Sequence, residues 1–430
     1  MSQPFPSRNS DPAFLQQIAD KVGTPFWLVD AAELRRRIAD VKFLVDAPFL
    51  HARYAMKANP AARILREIKD HGLWIDAVSA HECQRAMRAG FSGGQRPPEI
   101  LYTADVFRDR WQDVILKDGI LPNLGSPGMA RDLQEAGYRG NVALRVNVGF
   151  GHGHVNACDT GGPSSKHGIW WEDLGEAARA VRAAGCEVIM LHAHVGSGPK
   201  QQELRDNLQK LAGVFLGLAK DFPKLESVSL GGGLPYNYRQ HEDLDLPALK
   251  SILTGAQRDL SKALARDIHV EIEPGRYYVV SATTLVAKVH DLKSTRTNEK
   301  GQGVTFAMID AGFTDLVRPA MYGSHHRISL PARTGEQEEP ICVAGPLCES
   351  GDVFTRGADE MLEPRQLPRP QRGDLLCLHD AGAYGYAMSS HYNSLGRAPQ
   401  VWVEEDGSTR LISRRETLED LLIPECDEAV

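Results

Sequence analysis

One lysine stands where a β-rich run ends, and a lysine in that position can act as a nucleophile. Lys57 closes this run in the segment YAMKANP. On an extended strand its side chain would share a face with Arg53 and Ala55. A partly desolvated lysine attacks carbonyl carbons to form a Schiff base. Taken alone, a lysine at a strand end is usually an ordinary solvated surface charge.

Two glycine-bearing turns follow later β-rich runs and could hold an anion. Gly231–Gly233 come directly after SVSL, and Glu273–Arg276 close the segment HVEIEPGR. Backbone amides without a neighbouring Cβ can approach a phosphate closely, and Arg276 would add a permanent positive charge. The glycines could instead only end strands. Two such turns at these places favour a phosphate site.

Histidine pairs raise the question of a metal site. His192 and His194 form an HxH pair, and residues 152–154 read HGH. None of the familiar zinc signatures occurs in the sequence, so we expect no metal. A planar imidazole stacked on a cofactor ring explains His194 better. Ser197 would then be a further hydrogen-bond donor to the phosphate.

A lysine nucleophile beside a phosphate site points to a cofactor that carries both a carbonyl group and a phosphate. Pyridoxal 5'-phosphate (PLP) is such a cofactor, and it needs a partner at its ring nitrogen. Glu273 stands beside the predicted phosphate turn. A carboxylate there would keep the ring nitrogen protonated, which suits a decarboxylation that leaves a carbanion.

The elements that must position these residues alternate between strand and helix from about residue 30 to 275. The predicted strands are 51–56, 73–78, 99–104, 120–124, 141–148, 187–195, 227–230 and 268–273. Apolar residues recur every three or four positions between them, which indicates helices. An open doubly wound sheet would alternate in the same way. Eight units without a dinucleotide fingerprint favour a closed (β/α)8 TIM-type barrel over residues 30–280.

The pattern changes beyond residue 276 to alternating, β-branched runs separated by Gly, Pro and charged turns. This pattern predicts an antiparallel β-sandwich or β-barrel domain. We assign it residues 281–430 together with residues 1–29. Residues 149–168, after the fifth strand, form a long connection without periodicity, and such connections are usually functional or disordered.

Composition narrows the class of protein. The chain has 49 basic and 56 acidic side chains, a net charge of −7, and no long basic block, so we expect no nucleic-acid partner. No apolar run approaches the roughly 18 residues that span a membrane. The opening MSQPFPSRNS lacks the apolar region of a secretory signal. Seven scattered cysteines suit a reducing cytoplasm.

Taken together, the motifs resemble the PLP-dependent diaminopimelate decarboxylase family, within the barrel class of alanine racemase and eukaryotic-type ornithine decarboxylase. The resemblance covers roughly residues 25–425, in the family's order. Its motifs are YAMKANP, D-x-x-S-x-x-E at 76–82, YTADV, RVNVGFGHGH with TGGPSSKHGI, HAHVGSG, SLGGGL, EPGRYYV, DAGFTDLVRPAMYG, GPLCESGD and DAGAYGYAMSS. Val148 departs from the proline that is more frequent there in the family.

The resemblance implies a role for each matching residue. Lys57 would form the Schiff base, His194 would stack on the ring, and Glu273 would pair with the ring nitrogen. The residues it assigns to the phosphate are Ser197, Gly233, Gly275 and Arg276, with Tyr384 closing the cradle. The residues it assigns to the substrate are Arg276, Arg318, Tyr322, Glu349 and Tyr384. Cys348 and Glu349 would enter from a partner subunit, which implies a homodimer with shared active sites.

Arg318 decides the implied substrate. Ornithine decarboxylases lack an arginine in this segment, because their substrate has no second carboxylate and the arginine would be a buried, unpaired charge. The implied reaction converts meso-2,6-diaminopimelate to L-lysine and CO2, the last step of lysine biosynthesis, with Cys348 as first candidate for reprotonating the α-carbon. Two alternatives stay open. One is a decarboxylase or racemase acting on another amino acid, and the other is a non-catalytic homologue, which would be expected to lose Lys57 or Cys348.

Overall fold

A computed structural model describes residues 10–151, 160–196, 200–299, 301–357 and 359–428. The strands are β1 (Phe26–Asp30), β2 (Leu50–Ala55), β3 (Trp74–Ala77), β4 (Ile100–Ala104), β5 (Leu121–Leu124), β6 (Asn141–Asn147), β7 (Ile169–Trp170), β8 (Glu187–His192), β9 (Ser227–Ser229), β10 (His269–Ile272), β11 (Thr283–Ser294), β12 (Thr305–Ile309), β13 (Ile328–Ser329), β14 (Glu338–Ala344), β15 (Arg365–Pro368), β16 (Leu375–Leu378), β17 (Gln400–Val403) and β18 (Thr409–Ser413). The helices are α1 (Pro12–Val22), α2 (Ala31–Leu44), α3 (Ala62–Asp70), α4 (Ala80–Arg88), α5 (Gly128–Glu135), α6 (Leu174–Ala183), α7 (Gln201–Leu218), α8 (Leu246–Leu264), α9 (Arg276–Val279), α10 (Arg318–Tyr322) and α11 (Leu418–Leu422).

The described residues form two compact units. One contains the described residues up to Arg35, the short segment Tyr238–His241, and the described residues from Val279 onwards. The other contains residues 36–237 and 242–278, again as far as they are described. Among the described residues, every helix is too short or too polar to cross a lipid bilayer.

The unit of residues 36–278 is a closed barrel. Strands β2, β3, β4, β5, β6, β8, β9 and β10 pair in this order with parallel neighbours, and β10 pairs back with β2. The predicted (β/α)8 barrel is therefore confirmed, and each predicted strand overlaps an observed one. Helices cover the barrel with the predicted spacing: α7 buries Leu204, Leu208, Leu211 and Phe215.

Polar side chains fill part of the barrel interior. Near the amino ends of the strands, Arg53 Nε donates to Glu271 Oε2 at 2.6 Å, and both side chains are fully buried. Arg53 Nη1 also donates to the Ile75 carbonyl at 3.2 Å. His51 stacks on Trp74, with ring centroids 4.0 Å apart. Because an ion pair is costly to bury, this layer depends on its internal partners.

The other unit is built on a nine-stranded sheet. Its order is β15-β14-β12-β11-β1-β17-β18, and β16 pairs with both β11 and β13. Most pairs are antiparallel as predicted, but β1 pairs in parallel with β17, and β12 with β14. The parallel β1–β17 pair joins residues from opposite ends of the chain, so no short turn restricts their relative direction. Trp27, Leu285 and Leu376 lie in the core.

Candidate active site

Lys57 lies in a 3-10 turn and not on a barrel strand. Strand β2 ends at Ala55, opposite Asp76 of β3, and Met56–Ala58 form the turn. The prediction that Lys57 ends the strand and shares its face was wrong by two residues, because strand pairing stops at Ala55. The Lys57 side chain is exposed. Its positive charge lowers the pKa of both Asp76 and His194, which places it among the groups at this end of the barrel.

The two glycine turns pack closely against neighbouring strand ends. A Cβ on Gly233 would lie 2.6 Å from the Gly196 carbonyl oxygen, and one on Gly275 would lie 2.8 Å from the Ala55 carbonyl oxygen. Gly233 also has a φ of +99°, which strains any residue with a side chain. Glycine is therefore required at both turns, and their backbone stays bare. Arg276, which follows Gly275 and begins α9, is buried.

His194 is held as a neutral imidazole. The backbone N–H of Gly232 donates to His194 Nδ1 at 3.0 Å, so the ring proton is on Nε2. Burial and the charge on Lys57 lower the pKa of His194 to about 3. Thr160 Oγ1 donates to the His194 carbonyl oxygen at 2.9 Å. An uncharged, fixed ring at this place can stack on a flat partner.

Glu273 is kept ionised by a neighbouring histidine. Burial alone would raise the pKa of Glu273, but the charge and hydrogen bond of His192 outweigh burial and hold that pKa below its usual value. His192 Nε2 donates to Glu273 Oε1 at 2.7 Å, and Ser229 Oγ donates to Oε2 at 3.3 Å. His192 is thus occupied by a carboxylate. Within the described ranges, no group of three or more His, Cys, Asp and Glu side chains could hold a metal; residues 152–154 lie outside those ranges.

Asp76 is the protonated counterpart of Glu273. Burial and the negative charge on Glu273 raise the pKa of Asp76 well above its usual value. Thr103 Oγ1 lies 2.5 Å from Asp76 Oδ1, and Asn123 Nδ2 donates to Thr103 Oγ1 at 3.1 Å. The buried Arg145 on β6 adds a positive charge that lowers the pKa of Asp76 and of Glu273. The two carboxyl groups therefore differ in charge at neutral pH.

A second group of predicted residues surrounds Arg318, at the start of α10 in the sheet unit. Its guanidinium carbon lies 5.5 Å from the Tyr322 ring centroid, 5.6 Å from that of Tyr384 and 6.0 Å from that of Tyr238. Arg318 Nη2 donates to Ser324 Oγ at 3.0 Å, and the side chain is 5% exposed. The rings form a cage whose faces favour a cation.

Cys348 and Glu349 occupy an exposed turn of the sheet unit. The Cys348 N–H donates to Asn393 Oδ1 at 3.1 Å, and Glu349 Oε1 accepts from the Gly351 N–H at 3.2 Å. The first of these bonds spans 45 positions of the chain, and the second spans two. Both residues belong to the sheet unit. Ser197 lies outside the described residues.

Comparisons with known proteins identify the family. Residues 31–280 match the family described as pyridoxal-dependent decarboxylase, pyridoxal binding domain. The diaminopimelate decarboxylase of Escherichia coli K12 is 38% identical over 415 residues, which cover 95% of each chain. The chain belongs to the diaminopimelate decarboxylase family. A crystal structure of a diaminopimelate decarboxylase, 38% identical, covers 95% of each chain with a TM-score of 0.87. The Helicobacter pylori diaminopimelate decarboxylase complexed with L-lysine is 26% identical, with a TM-score of 0.81, covering 95% of this chain and 98% of that one.

The end of the barrel that carries Lys57 has the groups that PLP requires. It offers an exposed lysine, a neutral imidazole, an ionised carboxylate and two bare glycine turns, where an added Cβ would meet backbone atoms. A phosphate, a flat ring with a basic nitrogen and an aldehyde each find a matching group. The residues present fit this cofactor.

Sequence reasoning missed the roles of several residues here. Asp76 belongs to the motif D-x-x-S-x-x-E, in which Ser79 caps α4 by accepting from the Glu82 N–H at 3.1 Å. The Glu82 carboxylate accepts from the Val78 N–H at 2.7 Å. An Asp near the end of a strand, followed by a Ser-x-x-Glu helix start, was a usable signal. Tyr238 and the His192–Glu273 pair left no local signal.

Proposed function

We propose that the protein decarboxylates meso-2,6-diaminopimelate to L-lysine and CO2, with PLP as cofactor, as the last step of lysine biosynthesis. The observation that carries this proposal is the buried Arg318 inside its cage of tyrosine rings, since such an arginine suits a substrate that keeps a carboxylate. The names of the relatives and the L-lysine bound to the H. pylori enzyme support the same reaction.

The cofactor would be held by the residues that the sequence motifs assign to it. When bound, PLP supplies an electron sink for the bond pair that remains after CO2 leaves. Lys57 would bind its aldehyde carbon, and the neutral ring of His194 would stack on its ring. The residues we assign to its phosphate are Ser197, Gly233, Gly275, Arg276 and Tyr384.

Glu273 holds a proton at the ring nitrogen of the cofactor. The hydrogen bond from His192 keeps this carboxylate ionised despite its burial. An ionised acceptor favours the protonated nitrogen, because a buried positive charge needs an opposite charge beside it. His194 stays neutral, so it does not cancel this effect.

Asp76 and Glu82 would hold the Lys57 amine as an ammonium group. Burial raises the pKa of both carboxyl groups, and the positive charge of Lys57 lowers it again in each case. A Lys57 ammonium group therefore favours the ionised form of each carboxyl group and would be stabilised by it. Transfer of a proton from Lys57 to one of these carboxylates would return the neutral amine.

Arg318 binds the carboxylate that the reaction leaves in place. Tyr322 and Tyr384 assist it as hydrogen-bond donors, and Arg276 completes the substrate ligands. A bidentate pair between guanidinium and carboxylate is directional as well as strong. Lysine or ornithine in the same position would leave Arg318 without this partner.

A second copy of the chain supplies Cys348 and Glu349. Both lie in an exposed turn, as expected of residues that serve a neighbouring subunit. Cys348 would reprotonate the α-carbon, and Glu349 would bind the remaining substrate ammonium group. The barrel unit then binds the cofactor, and the sheet unit completes the site and the homodimer.

The compartment we propose is the cytoplasm. The described cysteines are all free thiols, and most of them are buried. Buried, unpaired thiols suit a reducing environment.

Subunit mixing tests the shared site. We expect Lys57→Ala and Cys348→Ala homodimers to be inactive and their heterodimer to contain one intact site. Random assortment would then restore about a quarter of the wild-type activity. Verified subunit exchange without recovered activity would argue against the shared site.

The proposed reaction is tested by incubating the purified holoenzyme with meso-diaminopimelate, L-lysine and L-ornithine in separate assays. We expect CO2 and L-lysine from diaminopimelate and little CO2 from the other two substrates. Comparable kcat/KM values for lysine or ornithine would assign the protein to the basic amino-acid decarboxylases. Racemisation without CO2 would assign it to the racemases.

A further inference from the structure

Arg37 is a buried positive charge on the inner face of α2. It is 8% exposed, and the neighbouring inward positions of the helix are the fully buried Ile38, Val41 and Leu44. A guanidinium among apolar side chains is costly unless other groups compensate its charge. The contacts of Arg37 therefore require an explanation.

Two buried tyrosine rings flank this guanidinium. Its carbon lies 4.8 Å from the ring centroid of Tyr277 and 5.5 Å from that of Tyr236. Both distances are within the range of cation–π attraction, which is strongest when the groups are shielded from water. Tyr277 OH also donates to Asp40 Oδ2 at 2.7 Å, one turn further along α2.

Each of the two tyrosines follows one of the two glycine turns in the chain. Tyr236 stands three residues after Gly233, and Tyr277 follows Gly275 and Arg276. These turns come from neighbouring strands, β9 and β10, which pair through Ser227–Ser229 and His269–Glu271. Between the turns, the Glu273 N–H donates to the Gly231 carbonyl oxygen at 3.0 Å. Arg37 thus connects the segments that leave the two strands, directly behind the turns.

We propose that Arg37 is a positioning residue that holds the two glycine turns at the spacing needed to bind the phosphate of the cofactor. This inference rests on the proposed function, which assigns the phosphate to these turns. Arg37 acts through the rings of Tyr236 and Tyr277. Asp40 fixes the second ring from the same helix.

The test compares two forms of the cofactor, PLP and pyridoxal, which lacks the phosphate. Their dissociation constants are measured on the full-length protein after removal of cofactor, for wild type and for Arg37→Met. We expect wild type to bind PLP much more tightly than pyridoxal. Arg37→Met should weaken PLP binding about 10- to 30-fold while pyridoxal binding stays nearly unchanged.

Lys42→Met is the matched control. Lys42 is exposed on the same helix, so its replacement removes the same charge without touching either ring. We expect it to keep the wild-type preference for PLP. Arg37→Lys keeps the charge without the planar group, and we expect it to recover only part of that preference.

The outcomes separate this inference from the proposed function. Equal binding of PLP and pyridoxal by wild type would overturn the phosphate site itself, and the inference with it. A wild type that prefers PLP, together with an Arg37→Met protein that keeps the same preference or weakens both ligands equally, would overturn the inference alone. If Arg37→Met does not fold, Tyr277→Phe replaces it: the ring stays, and the hydrogen bonds of the OH group with Asp40 and Arg37 are lost. The preference for PLP should then fall about 3- to 10-fold.

Discussion

Glu271 and Glu273 stand two residues apart at one barrel strand, yet their surroundings give them different tasks. Glu271 is fully buried and paired with the guanidinium of Arg53 at 2.6 Å. Glu273, just past the strand end, contacts the imidazole of His192 at 2.7 Å and lies near the titratable groups Asp76 and His194. The permanent charge of Arg53 pairs with the Glu271 carboxylate and holds it in place, which is a structural role. Around Glu273, by contrast, histidines, Lys57 and the carboxyl group of Asp76 can gain or lose protons, so the charge of this site can change.

Glu273→Gln should therefore affect activity far more than folding. The amide oxygen can still accept from His192, so the fold is kept, but the negative charge at the ring nitrogen is lost. We expect kcat to fall about 10²- to 10⁴-fold. Steady-state kinetics with PLP in excess checks this, and a thermal melt of the same protein provides the control. A kcat within about tenfold of wild type would contradict the assignment of Glu273.

Glu271→Gln should affect stability far more than activity. It leaves Arg53 buried without its carboxylate, which typically costs about 3–5 kcal/mol of unfolding free energy. Denaturant unfolding measures this cost. The protein that remains folded should bind its substrate with an unchanged KM. The double variant Arg53→Met with Glu271→Leu removes both charges and should recover most of the stability. A single variant as stable as wild type would show that the pair is not structural.

Arg318 is buried, as Arg53 is. Because we assign its carboxylate partner to the substrate, Arg318→Met should cost about 2–5 kcal/mol in kcat/KM for diaminopimelate, roughly 30- to several-thousand-fold. The absorbance of bound PLP should not change. Lys293→Met, at an exposed position of the same unit, is the control. An Arg318→Met protein with normal kcat/KM would remove the argument for a dicarboxylate substrate.

A histidine near the Arg53–Glu271 pair and another near Glu273 both make the stability of the fold depend on pH. Burial lowers the pKa of His51 and of His194 to about 3, from 6.5 in an unfolded chain. The unfolded state therefore binds more protons between these values, and stability falls as the pH drops from about 6.5 toward 3. Thermal melts from pH 7.5 to 4.5 should show this fall. His51→Gln should reduce the slope of stability against pH by up to about one proton, without changing the absorbance of bound PLP. An unchanged slope would contradict the lowered pKa of His51.

The sequence predicted the architecture well and the site only in part. Strand alternation and turn glycines located every barrel strand, because these signals are local. Lys57 was placed on a strand that in fact ends at Ala55, since the end of pairing depends on neighbouring strands. The His192–Glu273 bond joins residues 81 positions apart, and the Tyr238 ring reaches Arg318 from a distant segment. Such contacts exist only in the folded chain. The parallel β1–β17 pair escaped prediction for the same reason.

We assign PLP to Lys57, at the end of the barrel that also carries Asp76, His194 and Glu273. Borohydride reduction of the holoenzyme, followed by digestion and mass spectrometry, tests this assignment most directly, because reduction makes the bond to the lysine permanent. We predict a yellow protein whose absorbance borohydride abolishes, with the pyridoxyl label on the peptide that contains Lys57. A label on another lysine, such as Lys166, would contradict the account.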